Sequence, residues 1–344
     1  MSVRTATPQE IAHWDERITA QPDGGNIFST SVYAEQKTLG GYKPLFLMVG
    51  AIPITVLQKS VFPIGVWWYL PKGPNVSSVE AYLKIVDELA LYAKKRGVFM
   101  IRTEAELPLA DAPLLNEHGL RKAAPIIPNA STITMDITPS TETILANLPQ
   151  KGRHAIRRAE RDGVSIARVP ASAENCKKMY ALLSETAEGQ FGLRAYSYYK
   201  SYWQRFEKAG YGQLFFATFE GTVVAGAYAM VLGKKSTYKD GASTRKRTAY
   251  GASHLLQWAV IQWAKENGAQ VHDFCGSPPS AAIDDSTHPH YGIGRFKRSF
   301  SRNVVDYIGC YDVVVRPLAY TLWNSFLERV YKSLYYRRTK DYYY

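Results

Sequence analysis

The chain has 344 residues, 46% of them apolar and 21% charged, which excludes a disordered chain and leaves room for two domains of ordinary size. Its net charge of +12 directs attention to a polyanionic partner: nucleic acid, a phosphate-rich ligand or an anionic membrane face. The three cysteines, Cys176, Cys275 and Cys310, fit no disulfide framework and point to a reducing compartment. There is no apolar run of about 18 residues to span a bilayer, and the first twenty residues hold no apolar signal core. A cytoplasmic location is therefore expected, with any membrane contact peripheral.

A short helix is expected around residues 7–20 and a second over Thr30–Leu39. Leu45–Val49, Ile54–Ser60 and Val66–Leu70 read as strands, separated by Gly and Pro. Ser77–Arg96 has helical spacing at Val79, Tyr82, Leu83, Val86, Leu89, Ala90 and Ala93, with Ser78 as its cap. Gly97 closes that helix, and Val98–Arg102 is a buried strand. The polar stretch near Asp136–Lys151 reads as the link between two lobes. Beyond it, Cys176–Glu188 is helical, and Gln213–Glu220, Thr222–Leu232 and Lys235–Asp240 form a meander. Ala252–Asn267 is a helix closed by Gly268, with a strand at Ala269–Phe274. Helix, glycine and strand thus recur as KKRGVFMIRTE and KENGAQVHDFC. From Arg316, a tail puts Leu322, Trp323, Phe326, Leu327, Val330, Tyr331 and Leu334 on one helical stripe. Arg329, Lys332, Arg337, Arg338 and Lys340 are set among them. This basic-aromatic helix suits the inner membrane leaflet and equally suits packing on the lobes.

Two segments gather cations. In KGRHAIRRAERDGVSIAR (151–168), Arg153, Arg157 and Arg161 lie four apart and share a helical ridge, with Arg158 beside it. Guanidinium forks suit phosphates, while Ala155, Ile156 and Ala159 offer a face to bury. A solvated face partly neutralised by Glu160 and Asp162 is the plainer reading. YGIGRFKRSF (291–300) brings Arg295, Lys297 and Arg298 together around Phe296 and Phe300. As a strand it puts Phe296 and Arg298 on one side and Arg295, Lys297 and Ser299 on the other. A lysine in a cleft can stabilise an oxyanion; a surface strand with ordinary cations explains the segment too. His272, Cys275, His288 and His290, with Asp284 and Asp285, match no zinc spacing. P-loop, dinucleotide-binding and nucleophile-elbow motifs are absent.

Several blocks together resemble the FemABX peptidyltransferases, most of all the compact FemX type. They are YKDGAS…HLLQWAVIQWAKENGAQVHDFCG (238–276), then GRFKRSF and VDYIGCYD, with SVYAEQKTLGGYKP (31–44), YLPKGPNV (69–76) and KGRHAIRRAERDGVSI. The resemblance spans about residues 25–318. It implies an α+β fold of two tandem GNAT-like lobes, each a mixed sheet flanked by helices, without the coiled-coil arm of longer members. The expected division is a precursor-binding lobe over 1–145, a tRNA-binding and catalytic lobe over 146–316, and a C-terminal amphipathic helix over 317–344. The implied activity moves an amino acid from aminoacyl-tRNA to the stem-peptide amine of a peptidoglycan precursor, either lipid II or UDP-MurNAc-pentapeptide. No cofactor or metal is needed.

Residue by residue, the resemblance implies that Lys37, Lys72, Arg194, Tyr198 and Asp240 bind the precursor and that Lys297 assists transfer, accompanied by Phe296. Arg153, Arg157, Arg158, Arg161, Arg295 and Arg298 are the expected tRNA contacts. The chain departs from the pattern at Asp240, where the FemX type has a precursor-contacting tyrosine, and at Phe99, which lacks a hydroxyl. No carboxylate announces itself as a base; Glu104 and Asp273 are candidates, and salt-bridged structural acids are the plainer reading. Two other functions stay open. An acyl-CoA N-acyltransferase expects a [QR]-x-x-G-x-[GA] loop, which residues 248–253 do not provide in register. A non-catalytic RNA- or membrane-binding protein is the other.

Overall fold

The computed structural model describes residues 2–127, 130–187, 192–244 and 249–344. The first half lays down β1 (Val3–Thr5), β2 (Lys43–Val49), β3 (Ile52–Val61), β4 (Gly65–Leu70), β5 (Val98–Thr103) and β6 (Arg121–Ala123), with β7 (Ser131–Asp136) after them. The second half lays down β8 (Ser165–Val169), β9 (Gly212–Phe219), β10 (Thr222–Leu232), β11 (Lys235–Ser243), β12 (Val271–Asp273), β13 (Asn303–Asp306) and β14 (Cys310–Val314).

The pairs β4–β5 and β11–β12 are parallel, and parallel neighbours need a crossover. The helices Val79–Lys94 and Ala252–Glu266 supply it. Ser78 caps the first by accepting the Ala81 N–H at 3.3 Å, as expected. Gly97 and Gly268 follow the two helices at φ of +70° and +84°, a backbone that L side chains rarely adopt. Tyr82, Ile85, Val86 and Leu89 pack with Trp68, Leu70 and Ile101 in one core. Leu255, Leu256, Val260 and Ile261 pack with Phe215, Ala227 and Ala229 in the other.

One sheet runs β1-β2-β3-β4-β5-β14-β6, and the other, read from its far edge, runs β8-β9-β10-β11-β12-β7-β13. The orders correspond position by position, and in each the sixth strand comes from the other half of the chain. The two compact units are therefore residues 1–130 with 306–344, and residues 131–305. The observed changeovers differ from the expected 145/146 and 316/317 because β7 pairs with β12, Val271 opposite Asp136, and β14 pairs with β5. The stretch expected to link the lobes holds the helix Thr141–Asn147 inside the second unit. Glu188, the expected end of a helix observed over Ala173–Ala187, lies outside the described residues, as does Thr248.

The tail is no separate third part. Helical turns at Pro317–Leu322 and Glu328–Thr339 flank a π-helical turn at Trp323–Leu327. That wider turn splits the expected stripe. Trp323 is fully buried near Trp67, Phe99 and Tyr331, with ring centroids 6.5, 5.9 and 5.8 Å away, whereas Leu322, Phe326, Val330 and Leu334 are exposed.

The incoming β14 is clasped by an ion pair. Arg102 on β5 meets the carboxylate of Asp312 in a two-pronged contact of 2.7 and 2.9 Å, both side chains buried. The same guanidinium reaches Glu328 at 3.3 Å and the Tyr344 hydroxyl at 3.2 Å. Arg102→Leu strands a buried carboxylate, which costs roughly 3–5 kcal/mol; the urea-unfolding midpoint should drop accordingly. Lys332→Ala, which removes a half-exposed partner of Glu328, should stay within about 1 kcal/mol.

Candidate active site

In the second unit, the segment read as a strand is a helix, Tyr291–Lys297. Seven residues with two glycines are too few to show a helical period. A Cβ on Gly294 would lie 2.8 Å from the Pro278 ring, so this face of the helix sits hard against the chain. Lys297 comes three residues later on the same side and is buried, 5% exposed. Arg295 and Arg298 point outward; Arg295 stands over the Tyr291 ring at 5.7 Å, and Arg298 pairs with Asp284.

The Lys297 ammonium donates to the carbonyls of Cys275 at 2.8 Å and Gly276 at 2.6 Å. Both residues are left-handed, at φ of +57° and +95°, which turns consecutive carbonyls toward the lysine. The turn is fastened from below. Asp273 accepts the Cys275 N–H at 2.7 Å and the Thr132 hydroxyl, and Thr132 accepts the Gly276 N–H at 3.1 Å. Asp273 is thus engaged in holding the turn. Burial pulls the Lys297 pKa down to about 8, opposed by Cys275 and Asp273. Two of the three ammonium donors are taken by carbonyls, which leaves one for a reacting oxygen. His272 lies between Ser236 at 2.7 Å and Gln257 at 2.9 Å. Burial, helped by the Lys297 charge, lowers its pKa to about 3, so it stays neutral. Phe296 packs edge-on to His254 at 5.0 Å and to Phe300 at 5.5 Å.

The arginine ridge occupies the helix Gln150–Arg161, with Ala155, Ile156 and Ala159 buried as expected. Two glycines bring this helix close to its neighbours. A Cβ on Gly152 would lie 2.0 Å from the Ser299 carbonyl, and one on Gly251 2.2 Å from that of Ala155. The buried face of this helix, opposite the ridge, therefore abuts the chain just past Lys297. Arg157 is exposed, Arg158 stands 4.5 Å over the Tyr250 ring, and Arg158 and Arg161 both reach Asp162, at 3.2 and 3.4 Å. Arg153 donates to the Ala146 carbonyl.

A second group in this unit is built on the helix Tyr196–Lys208. Arg194 lies over the Tyr198 ring at 4.6 Å, and Tyr180 fixes the Arg194 carbonyl at 2.9 Å. Asp240 accepts from Trp203 at 2.9 Å and pairs with Lys239 at 2.9 Å. Burial, and then the Asp240 charge, push the Tyr199 phenol up to about 12. Arg194, Tyr198 and Asp240 thus surround Tyr199. Lys239, Tyr199 and Trp203 are members that sequence reasoning missed, although Lys239 stands inside the quoted YKD block and Tyr199 and Trp203 are four apart.

In the first unit, Lys37 ends the helix Ser31–Thr38 and is 4% exposed. Its ammonium lies 5.2 Å from the Tyr42 ring, and Lys59 lies 4.5 Å from the same ring. Two buried cations therefore share one aromatic ring, an arrangement not foreseen because Lys59 is a lone lysine in a strand. Lys59 also donates to the Tyr343 carbonyl. Lys72 pairs with Glu106 at 3.8 Å and stands 5.7 Å from the Tyr307 ring. Glu104 is structural: it accepts from the Tyr69 hydroxyl and the backbone of Ile126 and Ile127. Among the described residues, no group of three or more His, Cys, Asp and Glu gathers as a metal set, and no helix is long and apolar enough to cross a membrane.

The sequence profile of the FemAB family matches residues 215–328. The UDP-N-acetylmuramoylpentapeptide-lysine N(6)-alanyltransferase of Weissella viridescens is 28% identical over 270 residues, covering 73% of this chain and 77% of that enzyme. The lipid II:glycine glycyltransferase of Staphylococcus saprophyticus is 32% identical over 114 residues, 33% of this chain. The match spans 27% of the length of that staphylococcal relative. Among solved structures, FemX superposes with a TM-score of 0.79 at 20% identity, covering 94% of this chain and 99% of that one.

Lysine-selective NMR should find Lys297 titrating near pH 8, where the group's ordinary value is 10.5. Between those values the unfolded chain binds the extra proton, so the lysine's contribution to stability increases with pH across that window. Lys297→Met should remove that increase; a midpoint above 10 in the folded protein would refute the burial argument.

Proposed function

We propose that the chain is an aminoacyltransferase of the FemABX type, a reading supported by the FemAB profile match over residues 215–328, the 28% identity to the Weissella viridescens alanyltransferase and the FemX-like fold. It carries an amino acid from aminoacyl-tRNA to the stem-peptide amine of a peptidoglycan precursor, lipid II or UDP-MurNAc-pentapeptide. The amine nitrogen attacks the ester carbonyl, and a carbon–nitrogen bond forms. The tetrahedral oxyanion collapses, the carbon–oxygen bond to the terminal ribose breaks, and the amine's proton ends on the freed ribose hydroxyl. The ester is already activated, so holding the reactants together can supply about 7–11 kcal/mol of the barrier.

One observation carries this reading: a buried ammonium, held on two carbonyls, in the same unit as a helix with an arginine ridge. Lys297 stabilises the oxyanion with its remaining donor, and Phe296 holds the helix that presents it. Arg153, Arg157, Arg158 and Arg161, with Arg295 and Arg298, take the tRNA backbone. In the first unit, Lys37 and Lys72, with Lys59 beside the same Tyr42 ring as Lys37, take the precursor's diphosphate; in the second unit, Arg194 and Tyr198 also contact the precursor. Asp240 is spent on Trp203 and Lys239, so the precursor grip there relies on the cation and the tyrosines around it. The protein acts in the cytoplasm, with a peripheral contact at the inner leaflet. An acyl-CoA reading needs open N–H groups at the start of the helix Ala252–Glu266, where the Ala155 carbonyl instead crowds Gly251.

The test is mass spectrometry of each precursor after incubation with a total aminoacyl-tRNA pool. One aminoacyl increment is expected at least, and Lys297→Met should slow transfer by about 10²–10³-fold. The rate should fall as pH rises through about 8, because the protonated lysine is lost. No increment on either precursor with the full pool would refute the function.

A further inference from the structure

The C-terminal helix presents an apolar row made of part of the expected stripe, with Leu318 added. Leu318, Leu322, Phe326, Val330 and Leu334 follow one another at four-residue steps, all exposed, from 39% at Leu322 to 90% at Leu318. A single exposed leucine means nothing; five in one row make a patch. In an unbroken α-helix a four-residue step drifts about 40° around the axis. The π turn at Trp323–Leu327 slows that drift and keeps the row on one side. The other side is locked: Trp323 is buried and Glu328 holds Arg102. Tyr331 donates to the Phe62 carbonyl at 2.8 Å, so the loop carrying Phe62, 87% exposed, lies against the same helix.

We propose that this row and Phe62 form a docking face for the surface of an anionic lipid bilayer. The charge on the helix selects the occupant. Arg329, Arg337, Arg338 and Lys340 are exposed along it, and Tyr336 and Tyr342 are half-exposed at its end. Apolar side chains seated below cations and tyrosines match the acyl boundary and headgroup layer of an anionic leaflet. A second copy would set the same cations against each other. The face adds to the proposed function by bringing the enzyme to a lipid-borne acceptor, and it stands on its own geometry otherwise.

The experiment is co-sedimentation of the full chain with phosphatidylcholine vesicles, with and without 30% phosphatidylglycerol. The parent should bind the anionic vesicles and release them as salt is raised. Leu322→Ser/Phe326→Ser/Leu334→Ser and, separately, Phe62→Ser should lower the partition coefficient, the triple variant at least tenfold. Arg337→Glu/Arg338→Glu should remove the preference for anionic lipid. Circular dichroism checks that each variant is folded, and Phe62→Ser, in a loop, tests the face without touching the helix. The proposal is overturned if the parent ignores anionic vesicles at low salt or if the folded variants bind as well as the parent. It is also overturned if sedimentation without lipid shows a dimer that the triple variant loses. Transfer to soluble UDP-MurNAc-pentapeptide should be unchanged in these variants. Absence of transfer to both precursors in the parent would count against the function while leaving the vesicle result intact.

Discussion

Cys275 and Gly276, two left-handed residues in succession, turn their carbonyls onto the Lys297 ammonium, and the second unit's candidate site is organised around that contact. A buried ammonium without partners would be deprotonated or expelled. The carbonyls replace its lost water, and Asp273 below the turn adds a compensating charge. The backbone carries a cost: a non-glycine residue in the left-handed region loses roughly 1–2 kcal/mol. The bonds of Asp273 to the Cys275 N–H and of Thr132 to the Gly276 N–H oppose it. Thr132 lies on β7, the strand that the first half of the chain contributes to the second sheet. The crossing of strands between halves is therefore what fastens the turn, and through it the lysine.

The crossing also explains which features were legible in the sequence. Helix, glycine and strand could be read twice because each signal is local: a serine cap, an apolar period, a glycine that accepts positive φ, and a buried run. The exchange of β7 and β14 leaves no local trace. Each is a strand of five or six residues, and its partner is decided by which sheet lacks a sixth strand. The expected boundaries failed at those two places for that reason. Tyr291–Lys297 was misread because glycine usually breaks a helix, and Gly294 is kept here for its approach to Pro278. The tail stripe was read as one face because a sequence period cannot see a π turn.

The site residues divide in the same way. Lys297, Lys37 and Arg194 were reachable only through blocks of resemblance, since an isolated lysine or arginine has no signature. Lys59 and Lys239 escaped because their significance lies in what they share: Lys59 shares the Tyr42 ring with Lys37, and Lys239 shares Asp240 with Trp203. Such pairings are made by strand register and by four-residue helical steps, and neither is marked by residue type. Asp240 changes meaning as well. Read as a lost tyrosine it looks like a damaged pocket, whereas in place it anchors the helix that carries Tyr198 and Tyr199.

The excess of positive charge acquires a different meaning once it is divided by environment. Arg102 is used to clasp β14 and the C-terminal helix, and Lys297 is fixed on carbonyls, so neither contributes to a general attraction for polyanions. Arg158 and Arg161 are partly neutralised by Asp162, which leaves Arg157 the more exposed member of the ridge. Screening at physiological salt confines exposed charges to about 8 Å of influence, so each exposed cation acts through its immediate neighbours. A single net charge thus resolves into buried cations that build the fold and the turn, and exposed ones whose neighbours decide what they meet. On the helix Gln150–Arg161 the neighbours are the Tyr250 ring and Asp162. On the last helix they are leucine, phenylalanine and valine, and the same guanidinium groups there acquire an apolar floor that no nucleic acid would use.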